Sequence, residues 1–338
     1  MKILEIIPLE PLSLSLSPIG GVDVFTVTRS TPIPLPTTVA GALGMSMNVK
    51  LSSNDPVDSL IELSRKLEEI CGAVEGPIVL GPLTCFEERI TDPRKCHVYM
   101  YPERMVSLSF IERGIDVSRK MVYLNLERCR SDEECYTDFT PMTLVGVSLQ
   151  RTRPGEDKIV RYGYYYRYPL IIYRTPSGKV VNPTYIYKFN CGKDFNTIIR
   201  FGGEGRVAKL ATRDIEANYL ENIRSPLKKL ERGLYISLSP IPVIPLESNV
   251  TSFNPETVEL PIPMNSVIGI PQPSAPPKVR FDRFGLGFSE VIVRRRPEIL
   301  VLPPGTVIMI EEDEALTTFS DLMRGLLNIG FASLYKLM

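Results

Sequence analysis

The chain has 338 residues with 39 basic and 39 acidic side chains, so its formal net charge is zero. This balance argues against a general nucleic-acid coat protein, which would be strongly basic overall. A hydrophobic fraction of 43% is sufficient for buried cores, whereas 30 prolines and 23 glycines indicate many turns and loops. The length favours about two domains.

No apolar run reaches the roughly 18 residues that a membrane span requires. The first residues, MKILEIIPLEPLSLSLS, lack the basic region and uninterrupted apolar stretch of a signal peptide. We therefore expect a cytoplasmic protein that does not bind membranes.

The opening segment, KILEIIPLEPLSLSL, predicts a buried strand followed by extended chain punctuated by prolines. The stretch STPIPLPTTVAGALG then predicts a short helix that begins near Thr37 or Thr38. Free backbone N–H groups at such a helix start bind anions, and the small hydroxyl side chains add hydrogen-bonding capacity. An ordinary capped helix packed on a sheet has the same sequence features, and the two interpretations are compatible.

A longer helix is predicted over residues 55–71, with Asp55 as its N-cap and Gly72 as its terminator. Residues 76–190 show mostly short strands broken by glycine, proline and charged turns. Another helix is predicted over residues 212–224.

Residues 240–277 contain ten prolines and predict a long irregular segment over the surface. Strands resume around GFSEVIVRRR and PEILVLPPGTVIMI, and a helix is predicted within DLMRGLLNIGFASL. One strand–helix–strand unit in each half favours an α+β fold of two ferredoxin-like domains with long Pro-rich and Gly-rich loops over a parallel doubly wound sheet. We place these domains at residues 1–150 and 151–338.

The six cysteines, at positions 71, 85, 96, 129, 135 and 191, contain no C-x-x-C pair and do not indicate a disulfide scaffold. Cys129 and Cys135 bracket a charged loop and could form a small disulfide, as happens inside cells of archaeal thermophiles. Cys85, Cys96 and His97 only approximate a zinc ligand set, because four suitably spaced ligands are needed. His97 is the only histidine, and its strand-like surroundings favour a structural role. We expect no metal and no cofactor.

The zero net charge hides two basic segments. Residues 151–214 carry 13 Lys/Arg against 5 Asp/Glu, and residues 278–296 carry 6 against 2. The first includes RYGYYYRYPLIIYR at 161–174, which interleaves arginine with tyrosine as single-stranded nucleic-acid sites do. Tyrosine also favours strands, and a strand that buries one face leaves at most half of these rings for bases. The candidate RNA contacts in these segments, outside the glycine stretch below, are Arg161, Tyr165, Arg167, Arg283 and Arg294.

The stretch RFGGEGRVAK at 200–209 places three glycines within four positions between basic residues. Its spacing matches neither the dinucleotide-binding pattern nor the P-loop. It predicts a hairpin turn, because glycine readily adopts the positive φ that such turns use. The same turn can present backbone N–H groups beside Arg206 to a phosphate. The candidate RNA contacts here are Arg200, Gly202, Gly203, Gly205, Arg206 and Lys209.

Four stretches in order, IIPLEPLSL, PLPTTVAGALG, FGGEGR and LPPGTVIMI with its glycine-containing tail, resemble the RAMP superfamily of CRISPR-associated proteins. Their order and spacing look most like the third subunit of the Cmr (type III-B) effector complex. The resemblance implies two ferredoxin-like, RRM-related domains, glycine-rich loops against RNA and no established catalytic role. It further implies that the chain holds the 5′ repeat-derived tag of the CRISPR RNA. Thr37, Thr38 and residues 202–206 match the family's motifs and become candidate RNA contacts.

The partners implied are the CRISPR RNA, the large polymerase-like subunit and an adjacent RAMP subunit of the complex backbone. The leading hypothesis is therefore a non-catalytic RNA-binding subunit of an RNA-guided complex. The alternative is a metal-independent endoribonuclease of the repeat-cutting RAMP class, which would need His97 as its general base. A nucleotide-dependent enzyme is a third hypothesis, which FGGEGR fits poorly.

Overall fold

The structure is a computed structural model. It describes residues 1–16, 29–72, 76–87, 92–102, 104–118, 121–124, 136–150, 159–203, 205–215, 220–246, 257–272, 276–289, 291–312 and 318–337.

The described helices and strands alternate irregularly along the chain. The helices are α1 (Pro36–Ser46), α2 (Pro56–Cys71), α3 (Leu108–Gly114) and α4 (Asp321–Asn328). The strands of the first part are β1 (Lys2–Pro8), β2 (Val79–Cys85), β3 (His97–Met100), β4 (Arg104–Ser107), β5 (Ile115–Ser118), β6 (Met121–Leu124), β7 (Tyr136–Gln150), β8 (Ile159–Arg174), β9 (Val180–Val181), β10 (Thr184–Phe189), β11 (Asn196–Arg200) and β12 (Val207–Asp214). Those of the second part are β13 (Ile223–Arg224), β14 (Gly233–Ser237), β15 (Ile241–Pro245), β16 (Val258–Glu259), β17 (Val267–Gly269), β18 (Asp282–Gly285), β19 (Phe288–Ser289), β20 (Arg294–Arg295), β21 (Glu298–Leu302), β22 (Val307–Ile310) and β23 (Leu334–Lys336).

Helix α2 forms where the sequence predicted it, and both of its ends carry the expected local signals. The Asp55 side chain accepts hydrogen bonds from the backbone N–H groups of Val57 at 2.7 Å and Asp58 at 3.0 Å. Gly72, with φ of +85°, follows the last helical residue. Both features satisfy backbone groups that a helix end otherwise leaves unpaired.

The helix predicted over residues 212–224 is wrong. Its first residues belong to β12, which pairs with both β1 and β11, and β13 occupies residues 223–224. In β12 the side chains of Ala208 and Leu210 are buried, whereas those of Lys209 and Ala211 are less so. This period of two, and the two partner strands, are typical of a strand.

The predicted C-terminal helix also ends early, at Asn328. Gly330 follows with φ of +105°, and a Cβ there would lie 2.9 Å from the carbonyl oxygen of Val79. The chain must turn at this glycine to approach β2 so closely. The remaining residues then form β23.

Ten antiparallel strands form the largest sheet, in the order β11-β12-β1-β10-β2-β3-β4-β7-β8-β9. The predicted division at residues 150 and 151 falls between β7 and β8, which pair with each other along most of their length. That division stays a prediction.

Two smaller sheets follow, in the orders β13-β23-β14-β22-β17 and β16-β15-β21-β18. The Pro-rich segment at 240–277 contributes β15, β16 and β17 to them, so its described part is less irregular than predicted. The architecture is α+β with mostly antiparallel sheets, as the sequence predicted. No helix in the described ranges is long and apolar enough to span a bilayer.

The two faces of the large sheet lie in different cores. Leu4 and Ile6 of β1 pack with α1 and α2, whereas Ile3 on the opposite face packs with residues from β13 and β14. The core that contains Ile3 includes no residue of β11 or of the neighbouring part of β12, so the described helices cover this end of the sheet on one face only.

Two disulfides join segments of the first part of the chain. Cys71, at the end of α2, is bonded to Cys191 after β10, and Cys85 in β2 is bonded to Cys96 before β3. The sequence analysis did not predict them. Cys129 and Cys135 lie outside the described residues.

Reduction of these disulfides should destabilise the protein, because each restricts the unfolded chain. Removing Cys71–Cys191 through paired Cys71→Ala and Cys191→Ala substitutions should cost roughly 2–4 kcal/mol of unfolding free energy. Alkylation of the denatured, unreduced protein should label no more than two of the six cysteines, and mass spectrometry should identify the pairs. Labelling of Cys71 or Cys85 in that experiment would contradict the assignment.

Candidate nucleic-acid interface

The glycine stretch forms the predicted hairpin turn. It connects β11 to β12, and Arg200 of β11 lies opposite Val207 of β12. The Phe201 N–H donates to the Arg206 carbonyl oxygen at 2.7 Å and closes the turn.

The glycines of this turn meet different requirements. Gly202 has φ of +79°, and a Cβ there would lie 2.7 Å from the carbonyl oxygen of Ser13. The Gly203 N–H donates to that same oxygen at 2.9 Å. Gly205 has φ of +69° but open space around it, so only its backbone conformation favours glycine. The turn therefore rests on Ser13, and the N–H groups of Phe201, Gly203 and Arg206 are already used within the chain.

Arg206 is held by a carboxylate. Its guanidinium forms an ion pair with Glu10 and also contacts Tyr168, whose ring centroid lies 5.8 Å from the guanidinium carbon. Glu10 accepts a further hydrogen bond from the Val207 N–H at 3.2 Å. Burial opposes the charge on Arg206, but the hydrogen bonds to Glu10 and Tyr168 outweigh burial and raise its pKa. Arg206 thus fixes the turn against the segment after β1.

Loss of this ion pair should reduce stability cooperatively. In a double-mutant cycle, Arg206→Ala and Glu10→Ala should show a coupling of about 1–2 kcal/mol in unfolding free energy, because the two groups are partly buried and in contact. Urea unfolding of the two single variants and the double variant measures this coupling. Additive effects would show that the pair contributes no stability.

Arg200 and Lys209 differ from Arg206 in having no partner. They lie on the face of β11 and β12 opposite to the helices, because Ile199 and Ala208 point into the core with α1. Within the described chain neither side chain forms an ion pair or a side-chain hydrogen bond. We use the name open face for the surface formed by Asn196, Ile198, Arg200, Lys209 and Arg213.

The open face carries more cations than anions. Arg213 pairs with Glu5 at 2.7 Å, which leaves Arg200 and Lys209 as its unpaired charges. Ile198 between them is 65% exposed. A cationic sheet surface of this kind can accept the phosphates of a single strand.

The Arg/Tyr stretch lies in β8, as its alternation suggested. Arg167 is opposite Val145, and Tyr165 is opposite Val147. The described structure gives the path of this strand but not the side chains of Arg161, Tyr165 and Arg167, so their part in RNA binding stays a prediction.

The start of α1 has fewer free donors than the sequence suggested. Pro36 has no N–H, and the N–H groups of Thr38 and Val39 both donate to the Leu35 carbonyl oxygen, at 2.9 and 3.2 Å. Only Thr37 keeps a backbone N–H without an acceptor in the helix. Its side-chain hydroxyl is also buried and without a hydrogen-bond partner.

A single extended segment connects the glycine turn with β18. Beyond Ser13, the Leu16 N–H donates to the Arg29 carbonyl oxygen at 2.8 Å, and the Gly285 N–H donates to the Leu16 carbonyl oxygen at 2.6 Å. Arg29 in turn binds Asp282 of β18 through both terminal nitrogens, at 2.7 and 3.1 Å. The segment therefore positions β18 relative to the turn.

Two of the predicted RNA contacts lie in or near β18. Arg283 in β18 and Arg294 in β20 are exposed, and no ion pair involves them in the described structure. The adjacent Asp282 is held by Tyr101 and Arg29. Burial raises the pKa of its carboxyl, but hydrogen bonds from Tyr101 and Arg29 outweigh this effect and lower it.

His97 is buried in the large sheet. Its side chain is 5% exposed, the Phe86 ring lies edge-on at 5.0 Å, and neither ring nitrogen has a hydrogen-bond partner among the described residues. Burial lowers the pKa of His97 to about 3. The endoribonuclease hypothesis requires an accessible general base, and His97 does not meet that requirement.

The buried histidine should make the protein sensitive to mild acid. Because the pKa of His97 is about 3 in the folded protein and 6.5 ordinarily, the unfolded chain binds more protons between these values. Stability should therefore fall as the pH decreases, by about 2 kcal/mol between pH 7 and pH 5. Urea unfolding of the wild type and His97→Leu should show that only the wild type has this loss. As a check without substitution, the His97 ring protons should not titrate by NMR between pH 5 and 8.

The described residues contain no group of three His, Cys, Asp or Glu side chains that could hold a metal ion. Cys85 and Cys96, two members of the approximate zinc set, are bonded to each other instead.

The sequence analysis missed several residues of this region. The sequence predicts Glu10 and Ser13 only as part of an extended segment, although an acidic residue within the apolar run PLEPLSLSL is a signal. Ser289 gives no local signal, and Arg296 is marked only as the last residue of the basic segment 278–296.

No protein-family model matches the chain, and no curated protein matches it at a significant level. Solved structures do match over its whole length. A chain from the cryo-EM structure of the type III-B Cmr-beta bound to cognate target RNA has a TM-score of 0.61 and 16% identity, covering 100% of this chain and 97% of that chain. A chain from Cmr-beta bound to cognate target RNA and AMPPnP, state 1, has a TM-score of 0.61 and 17% identity, covering 100% and 99%. At these identities the likeness establishes a shared fold.

Proposed function

We propose that this chain is the third subunit of a Cmr (type III-B) complex. In this role it is a non-catalytic protein that binds CRISPR RNA, holds its 5′ repeat-derived tag and docks on the large polymerase-like subunit and an adjacent RAMP subunit. The observation that carries the proposal is the likeness to Cmr-beta chains, which extends over 100% of this chain and at least 97% of theirs. The ordered RAMP-like sequence motifs support the same class of complex independently.

The strand orders support two ferredoxin-like domains. Such a domain orders its four strands 4-1-3-2, and the series β12-β1-β10-β2 has this order, with α1 and α2 between its first and second strands. The series β23-β14-β22-β17 has the same order, with α4 before its last strand. On this assignment the N-terminal domain continues through β12 rather than ending at residue 150.

The open face supports RNA binding through phosphates. Arg200 and Lys209 are cations without partners among the described residues, on a sheet face that no described helix covers, whereas Arg206 is engaged by Glu10. In RNA-guided complexes base pairing reads the sequence and the protein holds the backbone. We therefore assign Arg200 and Lys209 to backbone contacts and Arg206 chiefly to positioning the glycine turn.

Arg200→Ala and Lys209→Ala should each weaken RNA binding to a similar extent for all sequences. Each should lower the slope of log affinity against log salt by about one unit, because one phosphate contact is lost. Fluorescence anisotropy with single-stranded RNA at several salt concentrations measures both quantities. Arg65→Ala, on the exposed side of α2, is the matched control and should leave the slope unchanged. Equal slopes in all variants would contradict the assignment.

The finer role is tested in the assembled complex. RNA that carries 4-thiouridine in the 5′ tag should crosslink to this chain, and RNA labelled only in the distal guide should not. Site-specific cleavage of repeat RNA by the purified chain, abolished by His97→Ala, would instead establish the endoribonuclease alternative.

A further inference from the structure

Unsatisfied polar groups gather where α1 meets the short hairpin of β19 and β20. The Thr37 side chain is 5% exposed, and its Oγ1 has no hydrogen-bond partner. This atom lies 3.6 Å from the position that a Cβ on Gly287 would occupy. Ser289, two residues further along, is 3% exposed, and its Oγ also lacks a partner.

A buried cation lies at the base of the same hairpin. Arg296 is 7% exposed, and its backbone N–H donates to the Gly287 carbonyl oxygen at 2.9 Å. Its guanidinium donates to the carbonyl oxygens of Phe288 and Pro56, both at 3.3 Å. Among the described residues no carboxylate lies within ion-pair distance of Arg296. Burial alone lowers its pKa.

Two buried hydroxyls without partners and a buried guanidinium without a counter-charge destabilise the folded protein unless an anion binds to them. A buried hydroxyl without a hydrogen bond is unfavourable, and a buried charge without a counter-charge is more so. The start of α1 adds to the positive potential, because it has no side-chain cap and no acidic residue in its first turn. By contrast, Asp55 caps α2 and Ser320 caps α4.

We propose that Thr37, Ser289 and Arg296 form a binding site for one phosphate group. The two hydroxyls and the Thr37 N–H would donate to phosphate oxygens, and the remaining guanidinium N–H groups would supply the counter-charge. Arg283 in β18 and Arg294 and Arg295 in β20 are exposed cations on the strands next to the site, and they favour approach of an anion. The identification of this phosphate as one from the RNA rests on the proposed function, whereas binding of free phosphate does not.

Inorganic phosphate tests the site without RNA. Low millimolar phosphate, exchanged for chloride at constant ionic strength, should raise the melting temperature of the full-length protein in a saturable way. Thr37→Val and Ser289→Ala should each weaken the apparent phosphate affinity about tenfold, because each removes one hydrogen bond to a charged group. Both substitutions preserve most of the side-chain volume, so the folded protein should remain available for measurement. Arg296→Lys should weaken affinity as well, since it loses the planar donor group.

Thr84→Val is the matched control. Thr84 is fully buried, its hydroxyl also lacks a partner, and it lies in β2 rather than at the start of α1. This variant should respond to phosphate as the wild type does. No saturable rise in the wild type, or an equal rise in Thr37→Val and Ser289→Ala, would overturn the site.

Competition distinguishes the two sources of phosphate. If an RNA phosphate occupies the site, inorganic phosphate should weaken RNA binding by the wild type at constant ionic strength, but much less by Thr37→Val. Phosphate binding without competition would overturn the RNA assignment and support a site for free phosphate. Because Arg200 and Lys209 lie elsewhere, their effect on RNA binding reports the proposed function separately from this site.

Discussion

The Glu10 carboxylate determines how the glycine turn and its charges are arranged. It binds the guanidinium of Arg206 and the N–H of Val207, and so attaches the start of β12 to the segment that follows β1. One carboxylate thereby neutralises the arginine closest to the turn. The cations left for an external anion are then Arg200, in the strand before the turn, and Lys209, in the strand after it.

Residues 10–16, the segment that contains Glu10, also connect the glycine turn to the second part of the protein. Ser13 supports the turn, and Leu16 exchanges backbone hydrogen bonds with Arg29 and Gly285. Because β18 leads directly into the hairpin beside α1, the position of the glycine turn and that of the proposed phosphate site are linked through residues 10–16. A long RNA strand that contacts both regions would therefore meet surfaces held in a defined relation by covalent chain and hydrogen bonds.

The fold satisfies most buried polar groups and leaves a few unsatisfied. Helices α2 and α4 have side-chain caps, whereas α1 and α3 do not. Native structures rarely leave buried hydrogen-bonding groups without partners, and departures from this rule concentrate at functional sites. His97 is a further departure: it lies between Thr84 and Ser107 in the sheet and packs against Phe86, and its burial favours a neutral, structural ring over catalysis.

The sequence by itself determined the features that depend on neighbouring residues. These include the capped helix α2, the start of α1 and the hairpin turn at the glycines, because N-capping and positive φ are local properties. It also indicated an α+β chain with a basic middle. The alternation in β12 was present as well, but a helical interpretation of the following residues obscured it.

Only the tertiary structure decided which groups meet. The disulfide between Cys71 and Cys191 spans 120 residues, and the ion pair between Glu10 and Arg206 spans 196. Neither can be inferred from spacing, because such contacts depend on the order in which strands join the sheet. That order placed Arg200 and Lys209 on the face opposite to the helices, attached Arg206 to Glu10, and brought Gly287, to which the Arg296 backbone is hydrogen-bonded, beside Thr37. The chemistry of a basic residue here depends on its partner across the fold, which no local pattern specifies.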